Sequence, residues 1–211
     1  MNFPKAIAAL IKWADDYPSR YQLDCIRLRA NGRNVYAEAC DGTRLCRLTW
    51  DCAGEELDYR LPRKALARAL RSVGVTPDGY HASLNGDVTV YGKKSGATVK
   101  PEELERWPDT ERVLYPEPGS DPILLSVREL RDLGRAAIKA GETGVFVKVD
   151  EVSAKLNAKY VRDLGETAIQ CGYDNLAAVT KDKKSAVHFW AEGDVRLETV
   201  IMPMLDPKEY A

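Results

Sequence analysis

The residue types that most often carry catalysis are few in this chain, and their spacing does not suit it. The two histidines, His81 and His188, fall in separate strand-like segments. No Gly-x-Ser-x-Gly, His-Glu-x-x-His, phosphate-loop or Gly-x-Gly-x-x-Gly pattern occurs. The five cysteines are Cys25, Cys40, Cys46, Cys52 and Cys171. They form no Cys-x-x-Cys pair and no histidine spacing of the kind zinc requires. An odd number without framework spacing reads as reduced thiols of a cytoplasmic protein. Asp41, followed by Gly42, is most simply a turn residue. The expectation is a protein that is not an enzyme and uses neither cofactor nor metal.

Basic residues are spaced for a different chemistry. Lys5 and Lys12 lie seven apart near the start. Lys64, Arg68 and Arg71 follow at i, i+4, i+7, with no acid among them. Arg131, Arg135 and Lys139 stand at i, i+4, i+8, with Arg128 nearby, and Lys155, Lys159 and Arg162 make a fourth set. Such spacings place side chains on one helical face. Any amphipathic helix has a charged solvent face, so one set means little. Four in succession, in a chain of net charge −1, segregate the basic residues onto helices and leave the acids to strands and loops. That distribution suits contact with phosphates without sequence readout. No helix-turn-helix, zinc finger or aromatic stacking platform accompanies it.

The elements that must carry these residues follow from periodicity. Residues 3–16 are expected to form a helix, with Ile7, Leu10, Ile11 and Ala14 on its apolar side. Strands are expected near 20–30, 33–39 and 43–50, joined at Asn31-Gly32 and Asp41-Gly42. A second helix starts at Pro62, with Leu66, Ala69, Leu70 and Val73 as its stripe. Strands near 79–84 and 87–91 flank Asn85-Gly86. Residues 115–122, rich in proline, read as a linker. A helix then opens at Ser126 with Glu129 as a capping box, and carries Leu130, Leu133 and Ala137. Another starts at Asn157 and runs over 158–164, and strands continue to Met204. Helix, strands, helix, strands thus occurs twice, at a period of about 115 residues. No apolar run approaches the roughly 20 residues of a membrane span, and the short apolar patch of MNFPKAIAALIKWADD, followed by acids and by no small-residue cleavage site, is not expected to act as a secretory signal. The 211 residues suffice for two domains.

Five segments in order give the chain a family likeness. RYQLDCIRLRANGRNVYAEACDGTRLCRL resembles the middle domain of the bacterial DNA polymerase III β sliding clamp, where a strand pair leads into a DGxRL turn. LPRKAL, RWPDTERVL, LNAKYV and the late VIMPM follow in the family's sequence. The resemblance implies an α+β fold of two clamp-type domains, 1–117 and 118–211, each with two helices packed on antiparallel sheets. The second domain is reduced, because the stretch between GVFVKV and LNAKYV is too short for the strands the family usually has there.

The implied function is a sliding clamp, or polymerase processivity factor, that encircles double-stranded DNA with its helices inward. Its partners would be a DNA polymerase or other clients carrying a clamp-binding peptide, and a clamp loader. Matched motif by motif, the peptide groove would use Leu23 of the first strand and Cys40, Gly42, Thr43, Arg44 and Leu45 of the turn. Pro108, Arg112 and Val113 would join from RWPDTERV, and Val200, Met202, Pro203 and Met204 from VIMPM. Cys40 and Thr43 depart from that turn's commonest residues. The family's protomer has three domains and closes as a dimer, so a two-domain chain implies a homotrimer. The implied location is the bacterial cytoplasm or nucleoid, with no membrane partner, and the two-domain format points to a phage or plasmid gene. The alternative is a clamp-like adaptor or decoy that binds such peptides without closing a ring.

Overall fold

The structure is a computed structural model that describes residues 1–18, 21–52, 56–103, 106–114 and 121–205. It divides into two compact units. Unit 1 comprises Met1–Gly42, Cys46–Pro108 and Gly193–Arg196; unit 2 comprises Thr43–Leu45, Asp109–Glu192 and the chain from Leu197. The linker expected at 115–122 lies, except for its last two residues, outside the described residues.

Unit 1 begins with β1 (Asn2–Phe3), a 3₁₀ helix (Lys5–Lys12), β2 (Cys25–Ala30), β3 (Asn34–Cys40) and β4 (Arg44–Asp51), of which Arg44 and Leu45 count with unit 2. It continues with β5 (Leu57–Pro62), α1 (Arg63–Val73), β6 (Tyr80–Asn85), β7 (Asp87–Tyr91) and β8 (Gly96–Val99). β1 pairs antiparallel with β6, which continues through β7 to β8. β2 pairs antiparallel with both β5 and β3. In α1 the buried residues are Leu66, Ala69, Leu70 and Val73, the stripe expected from the sequence.

The first helix differs from expectation. Ala6, Ile7, Ala9 and Leu10 are buried while Lys5 and Lys12 are exposed, a repeat of three that fits a 3₁₀ helix. At about 120° per residue, Lys5 and Lys12 point about 120° apart instead of sharing a face. A charged ladder crosses β5, β2, β3 and β4. Arg27 pairs with Asp58 at 2.6 Å and Glu38 at 3.5 Å; Arg60 also bonds Asp58, and Arg47 bonds Glu38 at 2.9 Å.

Unit 2 holds α2 (Glu111–Leu114), β9 (Ile123–Ser126), α3 (Val127–Lys139), β10 (Gly144–Val149) and β11 (Val152–Asn157). These are followed by α4 (Ala158–Gln170), β12 (Asn175–Val179), β13 (Val187–Ala191) and β14 (Val195–Ile201), of which Val195 and Arg196 count with unit 1. Its centre is a strand–helix–strand unit present twice. β9–α3–β10 and β11–α4–β12 are offset by 31 positions, as is the ion pair between Arg135 and Glu166. Arg131-Asp132-Leu133-Gly134 recurs as Arg162-Asp163-Leu164-Gly165. The N-caps Ser126 and Asn157 correspond, each side chain accepting a backbone N–H of the first turn. The C-terminal glycines Gly141 and Gly172 correspond too, at φ 79° and 88°, the left-handed region that ends a helix. β9 pairs with β12 and β10 with β11, all antiparallel, so the two copies face each other with approximate two-fold symmetry.

Glycine sets how closely α3 and α4 approach. A Cβ at Gly134 would lie 2.6 Å from the Ala158 carbonyl and the Arg162 nitrogen, and one at Gly165 would lie 2.7 Å from Arg131 Cβ. The two pairings, 134 with 162 and 165 with 131, run in opposite directions, so the helices cross antiparallel. The buried residues of α3 are Val127, Leu130, Gly134 and Ala137. Leu133, expected on that stripe, is instead among the exposed apolar residues. α4 is longer than expected and reaches Gln170.

Unit 1 has the same plan with an insertion. β1 pairs with β6 and β2 with β5, as β9 does with β12 and β10 with β11, but β3 and β4 stand between the halves. In unit 2, β10 turns directly into β11 through Asp150-Glu151, with Val149 opposite Val152 and Asp150 at φ 54°. The fold is thus α+β with antiparallel sheets, and the second unit is the reduced one.

Candidate functional site

Most of the expected basic residues stand on helix surfaces. On α1, Lys64, Arg68 and Arg71 are exposed opposite the buried stripe, and the helix has no acidic residue. On α3, Arg128, Arg135 and Lys139 are exposed and Arg131 is half-buried. On α4, Lys159 is exposed and Arg162 half-buried. Lys155 does not belong to this set. It lies on β11, before α4 begins, because Asn157 takes the N-cap position and the strand runs up to it. Its carbonyl accepts the Met204 N–H at 2.7 Å, and its Cε lies beside Gly144.

Acids temper the α3–α4 surface. Arg131 bonds Asp132 at 2.8 Å, Arg135 bonds Glu166 at 2.9 Å, and Arg162 bonds Asp163 at 2.6 Å. Charge density is therefore higher on α1 than on the pair. A cavity of about 290 Å³ opens beside Arg128 and Arg131, between the start of α3 and the end of α4. Ile169, Gly172, Tyr173 and Asp174 complete its lining. The sequence reading had singled out neither Tyr173 nor Asp174. The 31-residue offset was its available signal, since it sets the residues after α4 against the start of α3.

The residues matched to a peptide groove differ in accessibility. Gly42, Thr43, Arg112, Val113 and Met202 are exposed, and Pro108 and Met204 half-buried. Leu23, Cys40, Leu45, Val200 and Pro203 are buried. Within unit 1, Leu23 lies beside Gly42, its Cδ1 3.9 Å from where a Cβ would stand. Within unit 2, the Met202 N–H donates to the Thr43 carbonyl at 2.9 Å. Val113 and Met202 are 44% and 46% exposed, unusual for apolar side chains of that size.

Arg44 is not among the accessible groups. It is buried, donates from Nη1 to Asp163 Oδ2 at 3.0 Å, and lies 4.1 Å from the Tyr160 ring centre. The Tyr160 hydroxyl accepts from the Thr43 hydroxyl at 3.0 Å. Burying a guanidinium is tolerable because the carboxylate and the ring face meet it together. Asp163 was missed by sequence reading, since nothing in a helical Arg-Asp pair signals a partner 119 positions away.

The remaining reactive groups are quiet. Burial pushes the Cys25, Cys40 and Cys171 thiols up to about 12, with nearby carboxylates adding to the effect at Cys25 and Cys40. These thiols stay protonated at neutral pH and are poor nucleophiles or metal ligands. All five cysteines are free thiols. Among the described residues no group of three His, Cys, Asp or Glu side chains is placed to hold a metal. No helix among them is long and apolar enough to cross a membrane.

No protein-family model and no curated protein sequence matches the chain. Solved structures do. The DNA polymerase III subunit beta of Pseudomonas aeruginosa superposes with a TM-score of 0.74 at 20% identity, over 97% of this chain and 66% of that one. The Helicobacter pylori beta clamp bound to a DNA ligase peptide gives 0.76 at 14% identity, over 97% and 64%. The Thermotoga maritima DNA polymerase III beta subunit gives 0.71 at 16% identity, over 98% and 65%. The chain spans about two thirds of the length of each. With two helix-and-sheet units, the second reduced, the chain has the fold of the bacterial DNA polymerase III β sliding clamps.

Proposed function

We propose that this protein is a DNA sliding clamp that encircles duplex DNA as a ring of three copies and tethers client proteins, without catalysing a reaction. The observation that carries the reading is the surface of α1. Lys64, Arg68 and Arg71 stand exposed with no acid on the helix, on a fold otherwise found in sliding clamps. Lys12 of unit 1, and Arg128, Arg131, Arg135, Lys139, Lys159 and Arg162 of unit 2, are the other phosphate-facing residues. Contacts of this kind are electrostatic and sequence-blind. Lys5 faces away from Lys12 and Lys155 lies on a strand, so both stand outside this set.

Clients dock through a short peptide of the Gln-Leu-x-Leu-Phe type. The exposed Val113 and Met202 of unit 2 take its apolar anchors, and Thr43 and Arg112 meet its polar groups. Leucine- and methionine-sized surfaces adapt to such anchors. The H. pylori clamp bound to a DNA ligase peptide supports a peptide-docking role. A clamp loader opens the ring, and the complex works in the bacterial cytoplasm or nucleoid.

The decisive experiment is retention on DNA of different topology. A closed ring stays on nicked circular duplex at moderate salt and is lost when the circle is linearised. Equal loss from both would overturn encirclement. Light scattering should give about 70 kDa, three times the chain mass of 23.5 kDa. One observation favours the second reading, an adaptor or decoy that never closes. The direct turn from β10 to β11 leaves that sheet with two strands. A monomer that still binds the peptide would establish it.

A further inference from the structure

We propose that Asp163 is a positioning residue that holds Arg162 for DNA phosphates and couples it to Arg44, behind the surface that receives client peptides. This rests on the reading of the two surfaces just given. The carboxylate is 0% exposed and divides its two oxygens between two arginines. Oδ2 accepts from Arg44 Nη1 at 3.0 Å. Oδ1 accepts from Arg162 Nε at 3.0 Å and from Nη2 at 2.6 Å. The Arg44 side chain is 3% exposed and that of Arg162 27%. One buried anion thus stands between a cation sealed in the protein and a cation that reaches solvent.

The sealed cation connects outward on its other side. Arg44 lies against Tyr160, whose hydroxyl accepts from exposed Thr43, and the Thr43 carbonyl accepts the N–H of exposed Met202. A peptide settling on Thr43 and Met202 therefore displaces groups that fix Arg44. In a site of low dielectric, a fixed negative charge shared by two cations couples them strongly. Weakening the hold of Arg44 leaves Asp163 to Arg162, which is then drawn inward and gives less to a phosphate. A phosphate drawing Arg162 outward leaves Asp163 to Arg44. Coupling between binding sites is reciprocal.

The repeat provides an internal control. Asp132, the counterpart of Asp163, is 61% exposed and pairs with its neighbour Arg131. Arg131 should be indifferent to residue 44.

The test reads both arginines directly. In the full-length protein without DNA, the Arg162 Nε–H is followed by ¹H–¹⁵N spectroscopy in wild type, Arg44→Lys and Arg44→Gln. Arg44→Gln should move this resonance and slow its exchange with solvent at least threefold. Arg44→Lys should restore most of the wild-type value, and the Arg131 Nε–H should stay in place. An Arg162 signal unmoved by Arg44→Gln overturns the coupling. Should Arg44→Gln not fold, Arg162→Gln is read at the Arg44 Nε–H with the same criteria. A second arm measures affinity for a short fluorescent duplex. Arg44→Gln should weaken it at least threefold although Arg44 is buried, and should have no effect in an Asp163→Asn background. Weakening of equal size in that background overturns transmission through Asp163. An Arg162 signal that responds in a protein with no DNA affinity removes the DNA reading and leaves the coupling standing.

Discussion

Arg135 and Glu166 occupy the same position in the two copies of a 31-residue repeat, and they bond each other, Nη2 to Oε1 at 2.9 Å. A residue can meet its own counterpart only where the local two-fold axis passes, so this pair marks the axis relating α3 to α4. It also sets a cation and an anion on the surface proposed to meet DNA. Glu166→Gln should leave Arg135 free for phosphate and strengthen duplex binding about two- to fivefold. An exposed pair of this kind contributes at most about 1 kcal/mol, so the thermal midpoint should barely change. Anisotropy titration with a short duplex checks the first outcome and calorimetry the second.

Replacing Arg68, Arg71 and Arg135 with glutamate should have the opposite effect. Each lost phosphate contact lowers the salt dependence of log affinity by about 0.9, so the triple variant should lose up to about 2.7 from that slope. The weakening should be the same for unrelated sequences, because none of these residues reads a base edge. All three are exposed, so circular dichroism should remain that of the wild type. A change confined to one DNA sequence would overturn the assignment.

Gly134→Ala isolates the helix crossing. Alanine favours a helix over glycine by up to about 1 kcal/mol. The added Cβ, however, would stand 2.6 Å from the Ala158 carbonyl and the Arg162 nitrogen, backbone atoms that move only if the helices part. Overpacking of this kind costs about 1–3 kcal/mol. The variant should be destabilised in urea, and Gly165→Ala likewise. The double variant should cost less than the sum of the two, because helices already pushed apart accept the second methyl more easily.

The periodic features of the chain were readable before the structure, and the reasons for the exceptions are local. The α1 stripe Leu66, Ala69, Leu70 and Val73 is buried as expected, and the Ser126 and Asn157 caps are in place. Ile7, Leu10, Ile11 and Ala14 stand at i, i+3, i+4 and i+7, which fits a period of 3.6, so the sequence reads as an α-helix where the structure has a 3₁₀ helix at Lys5–Lys12. Leu133 was assigned to a stripe that Gly134 occupies, because the closest point of a helix crossing selects the smallest residue rather than the most apolar. The spacing of Lys155 from Lys159 and Arg162 suits a shared helix, but Asn157 starts that helix two residues after Lys155. Arg44 looked available because a turn arginine ordinarily is. Its partner Asp163 lies on a helix far along the chain, and no local pattern joins the two.

Stability should depend on pH through His188 and Asp58. Burial lowers the His188 pKa below its ordinary 6.5, only partly offset by a hydrogen bond with the Leu114 backbone. As pH falls, the unfolded chain therefore takes up this proton first. The contribution of His188 is full above 6.5 and declines below it until the folded-state value is passed. Burial alone would raise the Asp58 pKa, but hydrogen bonds from Arg27 and Arg60 outweigh it and the net shift is downward from 3.8. Stability should fall a second time as pH drops below that value. Urea midpoints measured across this range should show both declines, and His188→Gln should flatten the upper one alone.

Met202 and Met204 decide whether the client surface is correctly placed. Met202 is 46% exposed, while Met204 is half-buried, its N–H bonded to the Lys155 carbonyl and its sulfur beside Gly144. Both side chains can be shortened without removing a backbone bond, since the Met202 and Met204 N–H groups are unaffected by truncation. The apolar area a peptide removes from water contributes about 25 cal/mol per Å², less the cost of ordering a flexible chain. Replacing both residues with alanine should therefore weaken binding of a Gln-Leu-x-Leu-Phe peptide at least tenfold, about 1.4 kcal/mol. Calorimetric titration of wild type and double variant makes the comparison, with duplex affinity and particle mass measured on the same samples. Those two quantities should not change, because the methionines lie outside the basic helix faces. Equal peptide affinity in both proteins would move the client surface elsewhere, and no affinity in wild type would mean that the protein recognises a different motif.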